Sequence, residues 1–266
     1  MSIKNVKRGT LEYLTAEGIS AVHCFTTRHG GISTGRRSSM NIAYGNGDSM
    51  ENVEKNLHIL ANAFGFDPNK FVLTRQTHSD IVRVVTEADC NGLFHRNYPE
   101  CDALVTNTAG LALMIFTADC TPILLHDPVT GAVGAAHAGW RGTAQAIGVK
   151  TLQAMVDNFG CDPKNIRAAI GPNIGMCCFE TDADVPEAIL AAYGEEARAY
   201  IEKRGEKYHL DLKAINAIGL RRAGVTHIDI SDSCTMCEHE RFWSHRYTKG
   251  DRGSQGAIIL CGEVCK

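Results

Sequence analysis

Apolar positions recur along the chain with two different periods. In SMENVEKNLHILANAFGF, Val53, Leu57, Leu60 and Ala61 are spaced for one face of a helix, with Ser49 placed as its N-cap. Helical spacing also runs from Thr143 to Phe159, closed by Gly160, and through LKAINAIGLRRAG, where Gly224 follows the last turn. DVPEAILAAYGEEARAYIEKRG reads as one or two further helices. Between these lie short β-rich runs. ISAVHCFTT runs into a glycine turn, KFVLTRQTHSDIVRVV forms two strands about a polar corner, and DALVTNTAGLALMIFTADC forms two strands joined near Gly110. IRAAIGPNIG, VTHIDISD and GAIILCGE add three more. Strands and helices mix without a regular βαβ rhythm, which predicts an α+β fold. No repeat or linker divides the chain, so residues 1–266 are expected to form a single domain.

One segment carries candidate chemistry. TADCTPILLHDPVTGAVGAAHAGWRG holds Cys120 and His137 at the ends of two β-rich runs. A hairpin loop of Asp127 to Thr130 sets His126 against Gly131 and Cys120 against His137. Directly opposed residues share a face, with Cβ atoms roughly 4.5–5.5 Å apart. A slip of one residue would send them to opposite faces. The pair has three readings: a buried thiol beside a core histidine, a thiolate–imidazolium nucleophile, or two ligands of a metal site whose third ligand lies elsewhere. Trp140 and Arg141 follow at once, at a helix start suited to an anion.

Composition narrows the class. A formal net charge of −3 without a long basic run argues against a nucleic-acid or polybasic membrane binder. No apolar run is long enough for a membrane span, and MSIKNVKRGTLEYL lacks a signal-peptide core, so a cytoplasmic location is expected. There the 11 cysteines are expected as thiols or metal ligands rather than disulfides. Cys234 and Cys237 have Cys-x₂-Cys spacing, and Cys261 with Cys265 offers an imperfect second pair for a structural zinc. Adjacent Cys177 and Cys178 are expected to pack or line a pocket, because neighbouring thiols do not easily chelate one ion.

The blocks TTRHGG, RQTHSD, DALVTN, TADCTPILL, AAHAGWRG, IGPNIGMCCFE, HLDLKAIN and FWSHRY, in this order, resemble those of the laccase-domain, polyphenol-oxidase-like family. Its members, once labelled multicopper oxidases, are described as purine nucleoside phosphorylases with adenosine deaminase activity. The resemblance spans nearly the whole chain. It implies mixed β-sheets packed between helical layers (α/β/β/α, of the cytotoxic-necrotizing-factor type) and a zinc site formed by His78, Cys120 and His137. Thr77 stands where the family usually has Val, Ser79 where Gly often follows, and His245 where Tyr is common.

The older oxidase label conflicts with the residues. A trinuclear copper cluster draws on many imidazoles, typically as His-x-His pairs, and none of the 11 histidines is so spaced. Nucleoside chemistry is the better expectation, with purine nucleosides and phosphate as small-molecule partners and neither nucleic acid nor membrane. Deamination calls for water made acidic by zinc and a carboxylate shuttle, for which Asp119 is adjacent to Cys120 but expected on the other strand face. Phosphorolysis calls for arginines on the phosphate. Arg28 is the first candidate, followed by Arg141 and Arg246, with Gln76 and Asn41 as polar contacts. Two other classes stay open: a cysteine hydrolase acting on an amide such as a peptidoglycan precursor, with Cys120 as nucleophile, and a non-enzymatic metal-binding protein.

Overall fold

The computed structural model describes residues 3–90 and 99–262. The strands are β1 (Ile3–Arg8), β2 (Leu11–Ala16), β3 (His23–Thr26), β4 (Phe71–Leu73), β5 (Val82–Val84), β6 (Ala103–Thr106), β7 (Ala112–Thr117), β8 (Thr121–His126), β9 (Val133–Ala138), β10 (Arg167–Ile170), β11 (Glu180–Thr181), β12 (Ile201–Arg204), β13 (Lys207–Leu210), β14 (His227–Ile230) and β15 (Gln255–Leu260). The helices are α1 (Met50–Phe64), α2 (Trp140–Ala144), α3 (Ile147–Phe159), α4 (Asp184–Tyr193), α5 (Leu212–Arg222) and α6 (His245–Thr248). One six-stranded sheet has the order β1-β2-β3-β15-β7-β4, a second has β14-β10-β8-β9-β6-β5, and β11-β13-β12 form a small third sheet. Both large sheets mix parallel and antiparallel pairs.

Period-two alternation builds four layers from these strands. Leu113 and Ile115 of β7 and Ala257 and Ile259 of β15 meet Val133 and Ala135 of β9 between the two sheets. Their neighbours Ala112, Met114, Ile258 and Leu260 face outward onto Val53, Leu57, Leu60 and Ala61 of α1. On the far side, Ala136 and Ala138 of β9 with Ile123 and Leu125 of β8 pack on Ile147, Leu152 and Met155 of α3 and Leu220 of α5. The architecture is therefore α/β/β/α, as the resemblance implied. A fourth apolar cluster joins α4, the small sheet and the inner face of α5.

Local signals hold where their chemistry is strong. The Ser49 hydroxyl accepts from the Asn52 N–H at the start of α1, and Gly160 ends α3 at φ +67°. Three readings need correction. The helix expected over 143–159 is two helices, because Ala146 takes a left-handed φ of +56° between them. The 184–205 stretch holds only one α-helix: Gly194 ends it at φ +67°, a 3₁₀ run follows, and Ile201–Arg204 turns about Gly205 (φ +61°) to pair with β13. The β8–β9 register pairs Pro122 with His137 and His126 with Val133, two residues away from the expected alignment. Asp127 extends the ladder, its N–H bonding to the carbonyl of Ala132, and its carboxylate caps the N–H of Val129. A two-residue slip preserves which face each side chain occupies, so Cys120 and His137 remain on one side.

Candidate metal centre and adjoining cavity

Asp102, just before β6, organises the site. It is fully buried and all of its acceptor capacity is engaged. Its Oδ1 lies 2.8 Å from His137 Nδ1 and accepts from the His78 N–H at 3.1 Å. Its Oδ2 accepts from the N–H groups of Thr77 and Ser79 and from the Ser79 hydroxyl at 2.7 Å. Burial alone would raise this carboxyl, but the hydrogen bonds from His137, Ser79 and Thr77 outweigh it and hold the group well below the usual carboxylate range. The carboxylate folds residues 77–79 into a turn that holds His78 at φ +59°, a left-handed conformation uncommon outside glycine. With Nδ1 committed to Asp102, Nε2 is the nitrogen His137 has free.

Cys120 precedes β8 by one residue. Continuing the observed register, it faces Gly139. A Cβ built on Gly139 would lie 2.6 Å from His78 Cδ2 and 3.3 Å from Cys120 Sγ, so only glycine admits both side chains here. Cys120 Sγ stands 3.7 Å from His78 Nε2, and the ligand atoms of His78, Cys120 and His137 all lie within 4.8 Å of one another. Burial pushes the Cys120 thiol up, yet the charges and hydrogen bonds of His137 and His78 hold it down at about 6. Burial likewise lowers His137, but Cys120 and Asp102 carry it up to about 9. The chemistry of this donor set fits a divalent ion. It has two imidazoles and a thiolate-prone sulfur, and one imidazole is oriented by a carboxylate behind it.

Beside these three residues a cavity of about 300 Å³ opens, at the lower end of small-molecule sites. Ala118, Trp140, Ile174, Phe179 and Leu212 form its apolar walls, while Asp119, Arg141, His245, Arg246 and Arg252 add polar groups. A second hollow of about 190 Å³ shares His78, Cys120 and Arg252 and reaches Gln76 and Ser254.

The candidate residues from sequence divide here. Arg141 and Arg246 line the larger cavity, Arg141 against the Trp140 ring at 4.2 Å and Arg246 donating to the Glu180 carbonyl. Asp119 lines it too, at φ +86°. Its Oδ1 accepts from the Thr235 hydroxyl at 2.6 Å and its Oδ2 from the Arg246 N–H at 2.7 Å, so it fastens the 235–246 segment to the metal-site strand. The Gln76 amide pairs with both backbone groups of Phe116. Neither Arg28 nor Asn41 is among the lining residues. The Arg28 guanidinium donates to the carbonyls of His239 and Ser38 over the Trp243 ring, and Asn41 is fully buried in a polar knot with Asp48 and Ser254. Sequence reasoning missed Asp102 and Arg252. Asp102 was visible only as the first letter of DALVTN. Arg252 lies half-buried in an irregular segment, beside Cys120 and Asp119.

A family model described as multi-copper polyphenol oxidoreductase laccase matches residues 22–262. The chain is 37% identical to the purine nucleoside phosphorylase YlmD of Geobacillus stearothermophilus, covering 95% of this chain and 94% of that protein. It is 39% identical to a purine nucleoside phosphorylase of Deinococcus radiodurans (94% and 92% covered). The crystal structure of the Geobacillus stearothermophilus YlmD superposes with a TM-score of 0.91 at 34% identity, over 97% of this chain and 99% of that one. The chain belongs to this laccase-like family.

Within this laccase-like chain, two groups of three or more metal-capable side chains converge among the described residues: the His78–Cys120–His137 triad and a second group of Cys177, Cys178, Cys234 and Cys237. Neither offers the histidine-rich set that a trinuclear copper cluster requires. The second group corrects the cysteine pairing expected from sequence. Cys261 is buried in a different apolar cluster from Cys234, its thiol donating to the Gly131 carbonyl, and Cys265 lies outside the described residues. Among the described residues, no helix is long and apolar enough to cross a membrane.

Proposed function

We propose that the chain is a zinc-dependent purine nucleoside phosphorylase that also deaminates adenosine. The observation carrying this reading is the convergence of His78, Cys120 and His137, with His78 and Cys120 in the wall of an open cavity that also holds three arginines and His137 in the wall of the adjoining hollow. Three ligands would hold zinc and leave a coordination position facing the cavity. When bound, the ion supplies Lewis acidity, which activates water for attack on C6 of the purine.

The chain's own residues do the rest. Trp140 and Phe179 offer aromatic walls to a purine. Arg252, partly stripped of water, with Arg141 and Arg246, holds phosphate against the ribose. Phosphate oxygen then bonds to C1′ as the C1′–N9 bond breaks, and the electron pair leaves with the base, which takes up a proton. His245, the cavity imidazole outside the triad, would supply it. Asp119 acts as a positioning residue, because both oxygens are occupied. Arg28, stacked on the Trp243 ring with its guanidinium on two carbonyls, is left out of the phosphate site.

The test is one assay of metal-quantified protein with adenosine or inosine, with and without phosphate, separating free base from deaminated nucleoside. Base release that requires phosphate, with ammonia release that does not, supports the reading. Neither product from zinc-loaded protein overturns it. A second reading rests on Cys120, His137 and Asp102, which also have the order of a nucleophile, a base and an orienting carboxylate. Amide hydrolysis by metal-free protein, abolished by alkylating Cys120, would favour it.

A further inference from the structure

Two chain segments outside the cavity bring four sulfurs together. Residues 176–178 form a tight turn in which the N–H groups of Cys178 and Phe179 both bond to the Gly175 carbonyl. In such a turn consecutive side chains diverge by about 100°, as on a helix, instead of pointing to opposite faces as in a strand. Both Cys177 and Cys178 therefore reach the same partner. Their Sγ atoms lie 3.5 and 3.4 Å from Cys237 Sγ, and all four sulfurs of Cys177, Cys178, Cys234 and Cys237 are within 4.8 Å of one another. These separations far exceed a disulfide bond of roughly 2.05 Å. They approach the edge of roughly 3.8 Å of a tetrahedron with metal–sulfur bonds of roughly 2.3 Å.

We propose that Cys177, Cys178, Cys234 and Cys237 form a second metal site, a closed zinc tetrathiolate that is structural rather than catalytic. This goes beyond the nucleoside reading and does not depend on it.

Three surrounding features prepare the site for a negatively charged metal–thiolate cluster. Cys234 Sγ accepts the Gly175 N–H at 3.1 Å and also a backbone bond from Cys237, the kind of contact that stabilises thiolate sulfur. Gly175 leaves room for this: a Cβ there would lie 3.2 Å from Cys234 Cβ and 3.3 Å from Cys177 Sγ. Lys213 and Arg204 direct positive charge at the group, Lys213 at Cys234 and Cys177, Arg204 at Cys177 and Cys178. A tetrathiolate zinc carries a net charge of −2, which these cations offset. With four protein ligands no position remains for substrate. The ion would instead clamp the 174–179 turn, which supplies Ile174 and Phe179 to the cavity, against the segment whose Thr235 binds Asp119.

The experiment counts zinc on full-length, reduced protein titrated with zinc alone, in three forms: wild type, Cys120→Ser, and Cys177→Ser/Cys237→Ser. The expected stoichiometries are two, one and one. Cobalt in place of zinc in Cys120→Ser protein should give an intense thiolate-to-cobalt charge-transfer band, which only a thiolate-rich site produces. A wild-type measurement guards against variants that fail to fold. Cys177 and Cys237 are exposed, so their reaction with a thiol reagent should be slow when zinc is loaded and become fast on chelation. Cys120→Ser protein that binds no zinc, a site that selects iron, or two exposed thiols indifferent to zinc would each overturn the proposal. None of these depends on nucleoside turnover.

Discussion

Asp102 Oδ1 sits 2.8 Å from His137 Nδ1, and the same carboxylate gathers the backbone N–H groups of residues 77–79. One buried side chain thus aims one imidazole and shapes the turn that carries another. Asp102→Asn would present an amide N–H₂ to at least one donor that now meets an oxygen. We expect zinc affinity at the triad to fall by about 10–100-fold, with nucleoside turnover at limiting zinc falling in parallel. Competition titration against a chromophoric chelator measures this. An unchanged affinity would remove Asp102 from its orienting role.

Gly139 is the steric test of the triad. A methyl group there meets the ring of His78 and the sulfur of Cys120, although the backbone at this position is ordinary for any residue. Gly139→Ala should fold, keep its circular dichroism, and lose triad zinc and turnover together. Retained zinc and turnover would mean that the two side chains do not meet across this glycine.

Arg252 separates phosphate binding from deamination. Its burial beside Cys120 and Asp119 leaves Nε without a partner, while one terminal nitrogen donates to the Ser254 hydroxyl. Arg252→Ala should raise the KM for phosphate by roughly tenfold or more, the scale of one lost charge-assisted contact. Phosphate-independent deamination of adenosine should change much less. Equal losses in both reactions would assign Arg252 to the pocket wall. Arg28→Ala should instead lower Tm with little change in the phosphate KM.

Stability should respond to pH through His23. Burial lowers its pKa, opposed by Asp229, and both ring nitrogens are used: Nε2 accepts from the Ala16 N–H and Nδ1 donates to the Ala21 carbonyl. His126 nearby is lowered as well, first by burial and also by His23. A histidine whose folded pKa is depressed binds its proton more readily when unfolded. Its contribution is therefore complete above the unfolded value of about 6.5 and is lost as pH falls through and below it. Urea unfolding should show stability declining from about pH 7.5 to about pH 5.5, with a shallower slope in His23→Gln. A slope unchanged by that substitution would contradict the assignment.

Period-two and helical patterns made the four layers legible, because the inner strands β8, β9 and β15 are buried on both faces and α1 on one. The Cys120–His137 pair was legible for a similar reason: a two-residue error in register leaves the face unchanged. What escaped depends on tertiary geometry. The bend at Ala146 has no local breaker, and the first strand of the Ile201–Leu210 hairpin hid behind a helix-like run of Glu, Ala and Arg. Arg252 and the Cys177–Cys237 meeting are set by which loops lie side by side, something spacing along the chain does not encode. The glycine turn around Arg28 looked like an anion site in one dimension, yet its guanidinium is spent on carbonyls of two neighbouring loops.

The most direct measurement follows free-base release from inosine in wild-type and His78→Ala protein, with phosphate present or omitted and zinc counted in both. The account predicts phosphate-dependent release by the wild type alone, lost in His78→Ala together with one zinc. Release that proceeds equally in the variant, or without phosphate, would contradict it.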